Sequence, residues 1–279
     1  SSTHLFSSAA SDVYKRQPHV FVAVYSWEDG SFSELPSITL DIGKQDRSLR
    51  CNNFSMLDHD ADGDQELVLS LGSPYRGFAI LDLDSQGRLV IIKKIRPDEM
   101  LVGSGLLYSA VVDYDNDGYE DLLAISPEGN TIKAQPFYNI GGIFDSGPLI
   151  KKNFDGISGI LHKSFQLTDW DADGFKDVLA PFRSGDIIAL TLTPATLVIE
   201  RVPVQPGPLT QIEIADFNQD NYKDLLMLSS DINALTMVSG KDGGMESVRN
   251  VMSKVPEEMQ VFSILPLTCL LYTSPSPRD

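Results

Sequence analysis

The stretch "DYDNDGYEDLL", Asp113 to Leu123, crowds acids around a glycine and then turns abruptly apolar. Carboxylates packed this closely repel one another unless a cation neutralises them or water screens them. The stretch is not solitary. LDHDADGDQELVLS from Leu57, TDWDADGFKDVLAPF from Thr168 and ADFNQDNYKDLLMLS from Ala215 align with it. The first acids of the four copies are Asp58, Asp113, Asp169 and Asp216. The unit therefore recurs about every 50 residues, a period typical of repeat architectures.

Each copy follows an alternating apolar stretch: NFSMLD, YSAVVD, SFQLTD or QIEIAD. Period-two alternation predicts a half-buried strand. Each copy leads into a nearly continuous apolar run, ELVLSL, DLLAIS, DVLAPF or DLLMLS, which suits a strand buried on both faces. Two further strands complete the unit. After the first copy they are GFAILDLD and RLVIIKKI, split by SQG; after the third, DIIALTLT and TLVIERVP, split by PA. The stretch HVFVAVYSWEDGSFSELPSITLDI reads as the last two strands of an earlier unit, and MQVFSILPL as the first strand of a later one. Helical periodicity longer than a turn or two occurs only in Glu246 to Met259.

Repeated four-strand units predict an all-β chain, a β-propeller of about four full blades and two partial ones. The blades fall near 52–97, 106–155, 162–204 and 209–255, with the acidic loop between the first and second strands of each.

Numbered from its first acid, the loop has oxygen-bearing side chains at positions one, three, five and nine. Position one is Asp58, Asp113, Asp169 and Asp216; position three is Asp60, Asp115, Asp171 and Asn218. Position five is Asp62, Asp117, Asp173 and Asp220; position nine is Glu66, Asp121, Asp177 and Asp224. Position seven, Asp64, Tyr119, Phe175 or Tyr222, offers a backbone carbonyl. Such a turn wraps a hard cation, and calcium, which accepts a flexible cage of oxygens, suits it better than magnesium. Position six is Gly63, Gly118, Gly174 or Asn221, as a backbone of positive φ requires. Position eight, Glu120 in the second copy and Lys176 and Lys223 in later ones, is expected to face solvent. An EF-hand would need Glu at position twelve. Leu69, Ala124, Ala180 and Met227 stand there, so that motif and a dockerin-type loop are excluded.

The pattern resembles the FG-GAP repeat, also described as the VCBS or integrin-α-type repeat, and the first copy, Asp58 to Pro74, matches best. The resemblance covers nearly all of 18–268. It implies a β-propeller with calcium in loops at one rim, and as many as four ions. The loop from Asp216 to Asp224, with Asn218 and Asn221 in place of an acid and a glycine, should bind most weakly. Glu66 replaces the usual Asp. A GAP-like tripeptide is clear only after the first loop.

The two ends read differently. Residues 1–17 and 269–279 resemble the translation of transposase adapters used to build sequencing libraries, which makes 18–268 the expected natural part of a longer reading frame. A net charge of −17 with no basic patch argues against nucleic acid as a partner. Cys51, left alone once Cys269 is assigned to the adapter, supports neither a disulfide framework nor a metal cluster.

Position two, His59, Tyr114, Trp170 and Phe217, forms an aromatic series that could line a rim, although such rings more often pack over a neighbouring loop. Tyr75, Arg76 and the long connection from Pro136 to Asp155 are surface candidates, and Asn53-Phe54-Ser55 is a glycosylation sequon of the kind that arises by chance. Nucleophile elbows, phosphate loops and zinc spacings are missing from the sequence. The reading that follows is a non-catalytic, calcium-stabilised module of a secreted or surface protein, binding a protein or carbohydrate. The resemblance leaves open two alternatives: the propeller of an extracellular enzyme such as a polysaccharide lyase or phospholipase, and a structural shaft.

Overall fold

In the computed structural model, residues 51–241 are described apart from 73–74, 99–100, 102–105, 162, 164, 172, 194–195, 203, 205–206, 221 and 230–233; outside that span only backbone strands are described. Most of 1–17, all of 269–279, the MQVFSILPL stretch and Asn221 lie outside the described residues.

Five short strands come first: β1 (Thr3–His4), β2 (His19–Val22), β3 (Tyr25–Glu28), β4 (Ser31–Glu34) and β5 (Ile38–Asp41). They form one sheet in the order β1-β3-β4 and a β2-β5 pair. The segment expected to hold two strands thus holds four short ones.

Four antiparallel sheets follow in chain order. The first comprises β6 (Cys51–Leu57), β7 (Glu66–Leu71), β8 (Gly77–Leu83) and β9 (Leu89–Ile95). The second comprises β10 (Tyr108–Val112), β11 (Asp121–Glu128), β12 (Thr131–Ile140), β13 (Ile143–Ser146) and β14 (Ile150–Asn153). The third comprises β15 (Gln166–Thr168), β16 (Asp177–Pro181), β17 (Ile187–Leu192) and β18 (Leu197–Arg201). The fourth comprises β19 (Gln211–Ala215), β20 (Asp224–Ser229), β21 (Ala234–Lys241) and β22 (Gly244–Met252). All are antiparallel meanders in which each strand pairs with the one before it, except that β14 of the second sheet returns to pair with β12.

Two elements differ from expectation. Pro136 to Asp155 is no open connection. It carries the end of β12 and an outer edge in two pieces, with β13 pairing residues 137–140 and β14 pairing residues 131–134. Glu246 to Met252 is strand, not helix, and it pairs with β21 through two register shifts.

The second strand of each sheet explains how the sheets stack. Its side chains alternate between faces, and both faces are buried. Val68 joins Leu122, Ala124 and Phe137 in one core, between the first and second sheets. Leu123 and Ile125 join Val178 and Ala180 between the second and third. Leu179 joins Leu225 and Met227 between the third and fourth. Each fully buried Leu contributes about 1.5–3 kcal/mol relative to exposure, so these seams dominate the stability. Phe78 and Phe137 meet edge to face across the first seam, with centroids 6.2 Å apart.

First strands lie beside first strands, β6 by β10 and β15 by β19, and outer strands beside outer ones, β14 by β18. Face-to-face stacking of four-stranded meanders in a common order is the arrangement of β-propeller blades. Polar groups stitch the inner strands. Asn53 Nδ2 donates to the Ser109 carbonyl at 3.0 Å, and Asn53 Oδ1 accepts the Ser109 N–H at 3.1 Å. Gln166 Nε2 donates to the Ile212 carbonyl at 3.1 Å in the same manner.

Candidate metal-binding loops

The acidic loops connect the first and second strands of the four stacked sheets, which places them on a common rim. Their local fold follows from the short Asp side chain, which readily accepts nearby backbone N–H groups. In the second loop, Asp113 Oδ1 accepts the N–H of Asp117 at 3.2 Å and its Oδ2 that of Gly118 at 3.1 Å. Asp117 Oδ1 accepts the N–H of Tyr119 at 2.8 Å. The third loop repeats these bonds with Asp169, Asp173, Gly174 and Phe175 at 2.9–3.1 Å. The fourth repeats two of them, Asp220 N–H to Asp216 at 3.1 Å and Tyr222 N–H to Asp220 at 2.9 Å. In the first, Gly63 donates to Asp58 Oδ2 and Asp64 to Asp62.

Position nine begins the second strand and is fully buried in Asp121, Asp177 and Asp224. Its Oδ2 accepts the N–H of position two, from Tyr114, Trp170 or Phe217, at 2.8 Å. Its Oδ1 accepts a third-strand N–H, from Asn139 at 2.6 Å, Leu192 at 3.0 Å or Gly240 at 2.9 Å. The carboxylate thus pins loop, second strand and third strand together. Glu66 differs. It accepts the position-two N–H of His59 at 2.8 Å as the others do, but the same oxygen also meets the His59 ring Nδ1 at 2.7 Å.

Carboxylates converge in three loops. Oxygens of Asp58, Asp60 and Asp62 lie within 4.8 Å of one another, as do those of Asp113, Asp115 and Asp121, and of Asp169, Asp171 and Asp177. Asp60 and Glu66 also approach the His59 ring to that distance. Positions one, three and five meet in the first loop; positions one, three and nine meet in the next two. In the fourth loop the Asn218 amide puts an N–H donor among the acids, 2.8 Å from Asp220 Oδ2 and 3.5 Å from Asp224 Oδ1. The position-seven residues are exposed at Asp64 and Tyr222 and half-buried at Tyr119 and Phe175.

Burial pushes the Asp121 carboxyl up to about 7, against the pull of N–H groups from Asn139 and Tyr114 and with help from Asp115 and Asp117. Burial raises Asp177 to about 6, with Asp171 and Asp173 adding to it. Asp115 and Asp171 are raised by burial first and by the neighbouring acids next. Buried Asp58 Oδ1 has no hydrogen-bond partner. Raised carboxyls at Asp115, Asp121, Asp171 and Asp177, and in the first loop an orphaned oxygen, are what a hard cation satisfies. The donor set fits one.

Two expectations change. Glu120 does not face solvent as exposed Lys176 and Lys223 do: its Oε2 accepts the N–H of Asp58 at 2.8 Å, across the seam. Tyr75 is buried, its ring under the Arg96 guanidinium at 5.3 Å, and so is no surface candidate. The position-two side chains pack, in keeping with the favoured reading, and do not form an open stripe: Tyr114 is fully buried, Trp170 packs on the core between the third and fourth sheets, and His59 and Phe217 are half-buried. Asn139, which links two sheets, was missed because its role depends on partners 80 residues away.

No known family profile matches the sequence, and no curated protein does. Solved structures resemble it loosely. One is BBS1N in complex with ARL6DN, soaked with mercury, at 13% identity and a TM-score of 0.49, covering 89% of this chain and 68% of that one. A Lactobacillus plantarum protein has 8% identity and a TM-score of 0.42, covering 86% and 81%. The periplasmic gluconolactonase of Pseudomonas aeruginosa has 13% identity and a TM-score of 0.38, covering 86% and 79%. Likenesses this distant carry no argument about ligand or activity.

Among the described residues no helix is long and apolar enough to cross a membrane.

Proposed function

We propose that this chain is a calcium-stabilised β-propeller of the FG-GAP type, acting as a non-catalytic interaction or adhesion module of a secreted or surface protein. The observation that carries the metal reading is the convergence of three carboxylates in each of three equivalent loops. Each ion replaces repulsion inside the loop by attraction and braces the first two strands of its blade. Binding only to the folded form stabilises that form by mass action, about 2.7 kcal/mol per site at one hundred times Kd. Loops of this kind need calcium near ~0.1–1 mM, a level found outside cells. The extracellular assignment follows by analogy with other extracellular calcium modules.

The interaction reading draws on the rim. Ile140 and Ile143, at the tip of the β12–β13 hairpin, are 62% and 69% exposed. The tip lies against the first acidic loop, with Gly142 beside His59. Exposed apolar groups rimmed by charge are what a binding face for protein or carbohydrate presents. The test is calorimetric titration of the chain with calcium, paired with thermal melts. Several sites and a rise in Tm are expected, with Asp216–Asp224 the weakest. No heat and no change in Tm at about 5 mM calcium would sink the reading.

A further inference from the structure

We infer that Glu120 and Asn139 couple the first two acidic loops, so that a cation held in 113–121 prearranges 58–66. The inference rests on the calcium reading above and adds a specific pair of positioning residues.

Glu120 stands next to Asp121, one of the converging acids of the second loop. Its carboxylate crosses the seam to hold the N–H of Asp58, the first acid of the first loop, at 2.8 Å. Asn139 closes the connection. Its backbone N–H holds Asp121 Oδ1 at 2.6 Å. Its Nδ2 donates to the Glu120 carbonyl at 3.1 Å and to the His59 carbonyl at 2.8 Å. Asn139 Oδ1 accepts the Gly142 N–H at 2.9 Å, which fixes the amide's orientation. Asp121, Glu120, Asn139, Asp58 and His59 therefore form one hydrogen-bonded unit spanning two blades. Whatever fixes Asp121 also fixes the entry to the first loop.

The later sheets supply the control. Lys176 and Lys223 occupy the place of Glu120, and an ammonium group cannot accept an N–H. Leu192 and Gly240 occupy the place of Asn139 and carry no side-chain amide. Among the described residues this bridge is seen only at the first seam. Coupling between two sites is reciprocal, so the first loop assists the second by the same factor.

The experiment is hydrogen exchange of the whole chain, titrated with calcium and read separately over 58–66, 113–121 and 169–177. Asp113→Asn with Asp115→Asn disables the second loop. The calcium concentration that half-protects 58–66 should then rise at least ~5-fold, while that for 169–177 stays put. Glu120→Lys, which installs the side chain of the later loops, should remove this dependence. Glu120→Gln, which keeps an acceptor oxygen, should preserve it. An unchanged midpoint at 58–66 in the disabled variant overturns the coupling but leaves calcium binding intact. An equal shift at 169–177 also overturns it, because the effect is then global. No calcium-dependent protection in any loop of the unaltered chain overturns both this inference and the calcium reading.

Discussion

The acidic turn makes its demands residue by residue, and two positions in it take a left-handed backbone. Position six has φ of 92–94° in Gly63, Gly118 and Gly174, where glycine costs nothing. Position four is also left-handed, with φ of 59° at Ala61, 56° at Asn116 and 63° at Gln219. The glycines were legible in the sequence; position four was not, because no single residue type marks it. Asn tolerates this backbone better than Ala, since its short polar side chain bonds locally. Ala61→Asn should therefore stabilise the chain by roughly 0.5–1 kcal/mol. Urea unfolding in chelator would show it, and a lower midpoint than the parent would count against the strain argument. The candidate ligands were legible for the same local reason as the glycines. Glu120 was not. Its partner lies 62 residues away, and position eight gives no sign of whether a neighbouring blade is within reach.

Strands were the most legible elements, since apolar patterning in the sequence matches burial along strands such as β7, β11 and β18. The second strands read as uninterrupted apolar runs because sheets pack on both of their faces. The fourth sheet shows where that legibility fails. In β22, Met245 and Val248 pair with Gly240 and Val238, and Arg249 and Met252 pair with Met237 and Leu235. Three-residue steps on β22 oppose two-residue steps on β21, and bulges of this kind imitate helical spacing. The same sheet holds a tight approach. A Cβ at Gly240 would lie 2.2 Å from the Lys223 carbonyl oxygen, which is backbone and cannot swing away. Gly240→Ala should cost ~1–3 kcal/mol and loosen the hold on Asp224. Unchanged urea stability in that variant would show that β21 and the fourth loop can part without penalty.

At the scale of the whole molecule, the buried acids tie stability to pH. The Asp121 and Asp177 carboxyls rise from an ordinary 3.8 to about 7 and about 6. Groups raised in this way favour the folded state fully below their unfolded value and lose that contribution as pH climbs through the folded one. In chelator, the urea midpoint should fall between about pH 4 and about pH 7. Saturating calcium should abolish the fall, because the ion takes the proton's place. A midpoint flat across that window in chelator would mean that these carboxyls ionise freely in the fold. The divided outer edge of the second sheet has another consequence. Long, flat edges offer unpaired N–H and C=O groups on which strands of other chains can grow. Here the edge is two four-residue pieces, β13 and β14, joined across Gly147, Pro148 and Leu149, and β14 carries exposed Lys151 and Lys152. Short segments bearing lysine make poor templates for intermolecular sheet growth. Sheet two is accordingly protected at its periphery against aggregation, by interruption rather than by a cover.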